Sequence, residues 1–255
     1  MKTLLSLFDY SGAWSRPFLD SGWQVIQWDK KLLDEMDIFA LDSADYILEE
    51  LGWDIDGIIA AVPCTDFSAS GARWWKQKDE SGSTREAIEM VHQVLRLVNL
   101  FRPTDPDYEG TFFWAIENPV GRIGALCGLE DPYYFDPFEF AGWLNPDALT
   151  RSELARIRAK NGIGVTGQEA HYILEWNAYT KKTGLWGEFN RNLKRNRGEP
   201  VKGTPNGSPL FRLGGKSART KEIRSNTPAG FAEAFFQANQ QYSCILSEHC
   251  QLTLF

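Results

Sequence analysis

Two residues in this sequence stand where a reacting atom could meet them. Cys64 follows Pro63 at the end of an apolar run, residues 58–62, and Glu117 heads Glu117-Asn118-Pro119 at the end of another, residues 111–116. Cysteine is a competent nucleophile only as the thiolate. Backbone amides in the small, polar stretch Thr65-Asp66-Phe67-Ser68-Ala69-Ser70-Gly71 could favour that form. The same position also suits an inert, buried thiol. Burial behind its strand would raise the pKa of Glu117 and let it hold a proton near neutral pH, with Asn118 fixing the carboxyl and Pro119 stiffening the turn. Read alone, Glu-Asn-Pro is also an ordinary turn. Asp29, after the apolar run 23–28, is placed to accept hydrogen bonds from a ribose, and the turn Asp9-Tyr10-Ser11-Gly12 follows the run 3–8.

Chemistry at four strand ends requires strands that point the same way. The runs 3–8, 23–28, 58–62 and 111–116 are short and apolar, with helical stretches between them, the pattern of parallel strands joined by crossover helices. In such sheets ligands bind beyond the carboxyl ends of the strands, which would bring the thiol, the acids and the Ser-Gly turn into one crevice. Ile88, Val91, Leu95 and Val98 fall at helical spacing, predicting a helix over 84–100 with Ser83 or Thr84 as its N-cap. Pro17 suits the start of a helix, residues 150–160 read as a short polar helix closed by Gly162, and residues 229–240 as an amphipathic one.

With 255 residues, 43% hydrophobic and 24% charged, the chain suits one catalytic domain with an insertion rather than two full domains or a disordered segment. No run of eighteen apolar residues occurs, and the apolar run in MKTLLSLFDYSG is too short for a signal sequence, so a cytoplasmic protein is expected. Cys64, Cys127, Cys244 and Cys250 lack zinc-ligand spacing, so free thiols and no metal are expected. His92, His171 and His249 read as structural. Net charge is −7, yet residues 181–224 hold twelve Lys/Arg against three Asp/Glu, leaving −16 elsewhere. That asymmetry fits an acidic body with one basic face for a polyanion, and equally a solvated basic loop.

Taken in order, SLFDYSGAW, QWDKK, MDIF, AAVPCTDFS, AIENPVGR and RSNTPAGFAEAF resemble the motif series of DNA (cytosine-5) methyltransferases, especially compact phage-type members. The likeness covers residues 3–125 well and 171–240 loosely, and its paired Pro-Cys and Glu-Asn-Pro elements are its most specific part. It implies an α/β, Rossmann-like S-adenosylmethionine-dependent methyltransferase fold: a mostly parallel twisted sheet, helices on both faces and a small basic loop-rich recognition insertion. The corresponding division is a catalytic core over 1–186, the insertion over 187–226 and a returning helix and tail over 227–255.

By the same resemblance, Cys64 would add to carbon 6 of a flipped-out cytosine while Glu117, with Asn118 beside it, hydrogen-bonds or protonates ring nitrogen 3. Phe8, Ser11, Gly12, Asp29, Asp37, Pro63 and Asn226 would line the S-adenosylmethionine site: Phe8 against the adenine, Asp29 on the ribose, Asp37 near the adenine amine. Double-stranded DNA is the implied partner of a monomeric enzyme, met by Ser68, Arg73, Trp74, Arg122, Lys194, Arg195, Arg197, Lys216 and Arg219. The sequence departs from the family in two places. Tyr10 occupies a glycine position of the first turn, and the arginine-rich QxRxR element is missing, leaving residues 179–186 as its nearest counterpart and Lys182 as the substitute. Acceptors other than duplex DNA, a larger transferred group, or a silent DNA-binding descendant share the same scaffold.

Overall fold

The computed structural model describes residues 1–41, 54–105, 107–144, 178–198 and 225–242. The fold is mixed α/β. Six strands, β1 (Thr3–Leu7), β2 (Gln24–Trp28), β3 (Gly57–Ala60), β4 (Phe113–Pro119), β5 (Tyr133–Phe135) and β6 (Thr183–Glu188), form one sheet in the order β2-β1-β3-β4-β6-β5. The β1–β2, β1–β3 and β3–β4 pairings are parallel, whereas β6 runs antiparallel to both β4 and β5.

Side-chain alternation along the strands explains why the sheet is covered on both faces. Leu5, Leu7, Ile58, Ala60, Trp114 and Ile116 point into one apolar cluster with Val91, Val94 and Val98 of α3 (Ser83–Phe101) and Ile123 of α4 (Ile123–Cys127). Leu4, Ile59, Phe113, Ala115 and Leu185, one residue out of phase, point into a second cluster. There they meet Phe18 of α1 (Arg16–Asp20) and Phe231, Phe235 and Phe236 of α5 (Ala229–Asn239). Burying each of the valine, leucine, isoleucine and phenylalanine side chains among them contributes about 1.5–3 kcal/mol.

Several local expectations need correction. Glu117, Asn118 and Pro119 belong to β4 itself, because antiparallel pairing with Leu185, Gly184 and Thr183 carries the strand past its apolar run. The expected boundary between residues 186 and 187 falls inside β6, whose Gly187 and Glu188 pair with Ala115 and Trp114. Phe189 and Leu193 then add to the second cluster, so the core extends beyond that point. Gly82, with φ +84°, precedes α3 in place of a side-chain cap, and the hydroxyls of Ser83 and Thr84 bond instead to Asp66 and Asp79. The helix expected over 150–160 lies outside the described residues. Among the described residues no helix is long and apolar enough to cross a membrane, and no cluster of His, Cys, Asp and Glu could hold a metal ion.

Candidate active site

The order of the parallel strands reverses around β1: the chain moves outward to β2, then returns to the other side of β1 for β3. Loops leaving β1 and β3 therefore diverge, and a crevice is left between their carboxyl ends. A hollow of about 910 Å³ opens there. That volume is near the upper end for ligand sites and leaves room for two groups side by side.

The ends of β1 and β2 supply one part of its wall, including Phe8, Asp9, Ser11, Asp29, Asp37 and Ile38. Phe8 has φ +59°, a conformation that bulky side chains rarely adopt, and its amide donates to Trp28 O at 3.0 Å. Such an outlier is kept where the surrounding structure over-determines it, frequently at a ligand site. Asp29 is buried; one carboxylate oxygen accepts from the Lys31 amide at 2.8 Å and the other has no partner among the described residues. Asp37 accepts from the Phe39 amide at 3.1 Å and pairs with Lys30 at 2.8 Å, and the Lys30 bond holds its carboxyl below the usual range.

Asp9 also lines the wall, a residue the sequence presented only as part of a turn. It accepts from Ser6 Oγ at 3.1 Å and from the Ser15 amide and hydroxyl at 3.0 and 2.9 Å, fixing the β1–α1 turn, while burial pushes its carboxyl upward. Gly12 does not line the hollow. Its φ is +65° and a Cβ there would sit 3.1 Å from Gln27 Nε2, so it shapes the turn behind the wall.

The ends of β3, β4 and β6 supply the rest: Pro63, Cys64, Ser68, Pro119, Lys181 and Lys182, joined by Asn226 and Thr227 from the segment before α5. Burial pushes the Cys64 thiol upward, the nearby ammonium of Lys181 pulls it down and the carboxyl of Glu117 raises it. Burial likewise raises Glu117, opposed by Lys181. The burial contribution leads in both, so both groups are shifted toward their protonated, uncharged forms, against the thiolate that the polar loop could favour. Glu117 is half-buried and not among the residues that line the hollow, but its influence on Cys64 and the influence of Lys181 on both place the three groups in one electrostatic neighbourhood.

Asn118 does not orient that carboxyl. Its amide donates to Val62 O at 2.9 Å, stitching the end of β4 to the end of β3, and its Oδ1 has no partner among the described residues. Lys181 rather than Lys182 acts on the pair; Lys182 lines the hollow and sits 4.8 Å from the centre of the Tyr134 ring. The sequence segment was legible, but the phase of β6 was not.

The nucleic-acid candidates divide. Ser68 lines the hollow, its hydroxyl 3.0 Å from that of Ser70, while Arg73 lies over the exposed Trp74 ring at 5.3 Å, away from the wall. Arg122 is occupied within the protein. It donates twice to Asp79, once to Thr84 Oγ1 and once to Asp66 O, and stacks over Trp75 at 4.7 Å, clamping α2 (Trp75–Ser81) to the turn after β4. Arg195 and Arg197 pair with Glu139 at 2.9 and 3.3 Å, and Lys194 sits 6.0 Å from the Trp143 ring centre; none of the three lines the hollow. Lys216 and Arg219 lie outside the described residues, as do His171, His249, Cys244 and Cys250.

The loop after Cys64 is tied to the turn after Pro119. Ser68 and Gly121 form an antiparallel bridge, the Ala69 amide donates to Val120 O and the Arg122 amide to Phe67 O, both at 2.9 Å. Only glycine fits at 121, because a Cβ there would lie 1.9 Å from Phe67 O.

No family model matches the sequence, and no curated protein does. Solved structures do match. One is an E. coli prophage-encoded protein provisionally described as a DNA modification methyltransferase, 14% identical, with a TM-score of 0.40. The match covers 74% of this chain and 47% of that one, so the chain spans about half the length of that structure.

Proposed function

We propose that this protein is an S-adenosylmethionine-dependent methyltransferase acting on carbon 5 of cytosine in DNA, with Cys64 as nucleophile and Glu117 as acid. The observation that carries the reading is the meeting of Cys64, Glu117 and Lys181 at the carboxyl edge of adjacent strands, beside a hollow that continues to Phe8 and Asp29. The wall near β1 and β2 fits an adenosyl group chemically: a buried carboxylate with one unpartnered oxygen suits a ribose diol, and Phe8, Met36 and Ile38 suit a purine face. When bound, the cofactor supplies an electrophilic methyl group.

The protein's own residues do the rest. Carbon 5 of cytosine is a weak nucleophile. A sulfur–carbon bond from Cys64 to carbon 6 pushes the ring electrons toward carbon 5 and nitrogen 3, and a proton from Glu117 neutralises nitrogen 3. After carbon 5 has gained its methyl group, water takes the carbon 5 proton, the carbon–sulfur bond breaks with its electrons returning to Cys64 as thiolate, and nitrogen 3 gives its proton back to Glu117. Forming the thiolate against burial is the demanding step for Cys64, and the ammonium of Lys181 favours it. A base within a duplex must flip out of its stack to reach the hollow.

The experiment is transfer of labelled methyl groups to cytosine-containing duplexes, with bisulfite sequencing to locate the product. Cys64→Ala is expected to abolish transfer while retaining cofactor binding, and a 5-fluorocytosine duplex to trap the wild-type protein covalently, since fluorine cannot leave as a proton does. Normal transfer by Cys64→Ala would overturn the reading.

A further inference from the structure

At the outer edge of the sheet, β5 places three aromatic residues in a row, and they face alternate sides. Phe135 and Tyr133 pack against the second apolar cluster. Tyr134 faces the other way and is 43% exposed. It lies opposite Gly184 of β6, hence diagonal to Lys182, a spacing that long side chains bridge. Gly184 carries no side chain, and the indole of Trp186 occupies the space above it, 2.6 Å from where a Cβ would be. Lys182 reaches across to within 4.8 Å of the Tyr134 ring centre while forming part of the wall of the hollow.

An exposed cation–π contact adds little to folding stability, so stability gives this pair no evident purpose. Its position does. A flat ring with the Lys182 ammonium over one face, and a second ammonium at Lys181, lead outward from the hollow along β6 and β5, and the other face of the ring is the one left for a stacking partner. We propose that Tyr134 is a stacking platform for the nucleobase next to the one held in the hollow, with Lys182 against the phosphate that joins them. The proposal rests on the hollow being the base-accepting site. Every base presents a π face, so the platform would favour a strand that continues past the target without selecting its sequence, and a point-charge ammonium suits a phosphate.

The test uses the full chain and cytosine-containing oligonucleotides in which 2-aminopurine replaces each neighbour of the cytosine in turn. Wild type and Tyr134→Phe are expected to quench the probe at one flanking position. Tyr134→Ala should lose that quenching and bind roughly tenfold more weakly, with an unchanged melting temperature. Quenching and affinity retained by Tyr134→Ala would overturn the platform, as would Tyr134→Phe failing as completely as Tyr134→Ala. Methyl transfer by the wild type, measured alongside, separates the two readings. Transfer with quenching unaffected by Tyr134→Ala removes the platform alone; Tyr134-dependent quenching without transfer supports the platform and removes the methyltransferase reading; no binding of any oligonucleotide overturns both.

Discussion

Replacing Asn118 with alanine tests whether the ends of β3 and β4 are held in register by one buried side chain. Asn118 is fully buried, Val62 is 3% exposed, and the bond between Nδ2 and the Val62 carbonyl is 2.9 Å long. Removing the donor strands that carbonyl away from water, at about 1–3 kcal/mol. Because Asn118 Oδ1 has no partner among the described residues, its removal relieves a smaller penalty of the same kind, which leaves a net loss of about 1–2 kcal/mol. For a chain of this length that lowers the melting temperature by about 2–8 °C. Asn118→Asp is expected to be worse above neutral pH, since it sets a carboxylate against the carbonyl and buries the charge. Thermal unfolding followed by circular dichroism reads both. A melting temperature within a degree of wild type for Asn118→Ala would refute the link between β3 and β4 as a source of stability.

Three further outcomes follow from the geometry. Alkylation of Cys64 by iodoacetamide, read by peptide mass mapping against pH, should shift to higher pH in Lys181→Gln and to lower pH in Glu117→Gln. Cys127, pushed up to about 12 by burial, should stay inert throughout. Unaltered profiles in both variants would separate the three groups. Glu117 is raised by burial above its ordinary value of 4.5, so the folded state keeps its proton more tightly than the unfolded state does. The resulting stabilisation is complete below that ordinary value and is lost as pH rises through the raised one, so Glu117→Gln should gain on wild type between acidic and neutral pH in paired denaturation curves. A difference that stays constant with pH would contradict the burial assigned here. Gly121→Ala, whose Cβ meets Phe67 O, should cost about 1–3 kcal/mol in the same denaturation experiment; no loss would show that the two loops part easily.

The parallel half of the sheet was legible because each strand is a short apolar run closed by a polar or turn-forming residue, and the strand ends named Cys64, Glu117 and Asp29 directly. β6 was not legible in the same way. Thr183–Glu188 holds two glycines, and its strand character comes from pairing with β4, more than sixty residues earlier, and with β5. Without that pairing, the phase that sets Lys181 toward Cys64 and Lys182 toward Tyr134 has no signal in the chain. Arg122 misled for a related reason. A lone arginine after a turn reads as available to phosphate, but its carboxylate partner, Asp79, is distant in sequence and brought near only when α2 folds back. Asp9 was hidden by its neighbours: inside Asp9-Tyr10-Ser11-Gly12 it looked like a turn former, whereas its work is to gather the hydroxyl and amide of Ser15.

The bridge between Ser68 and Gly121 sets where this protein can bend. With Ala69 also fastened to Val120, the stretch from Cys64 to Ala69 is tied to the turn that follows β4, so a movement of Cys64 is coupled to the end of the strand that carries Glu117. Arg73 and Trp74 lie between that bridge and α2, which Arg122 fastens to the same turn through Trp75 and Asp79, so the segment is held at both of its ends. The spacing between the Cys64 loop and the end of β4 is thereby fixed by the backbone itself, whatever enters the hollow.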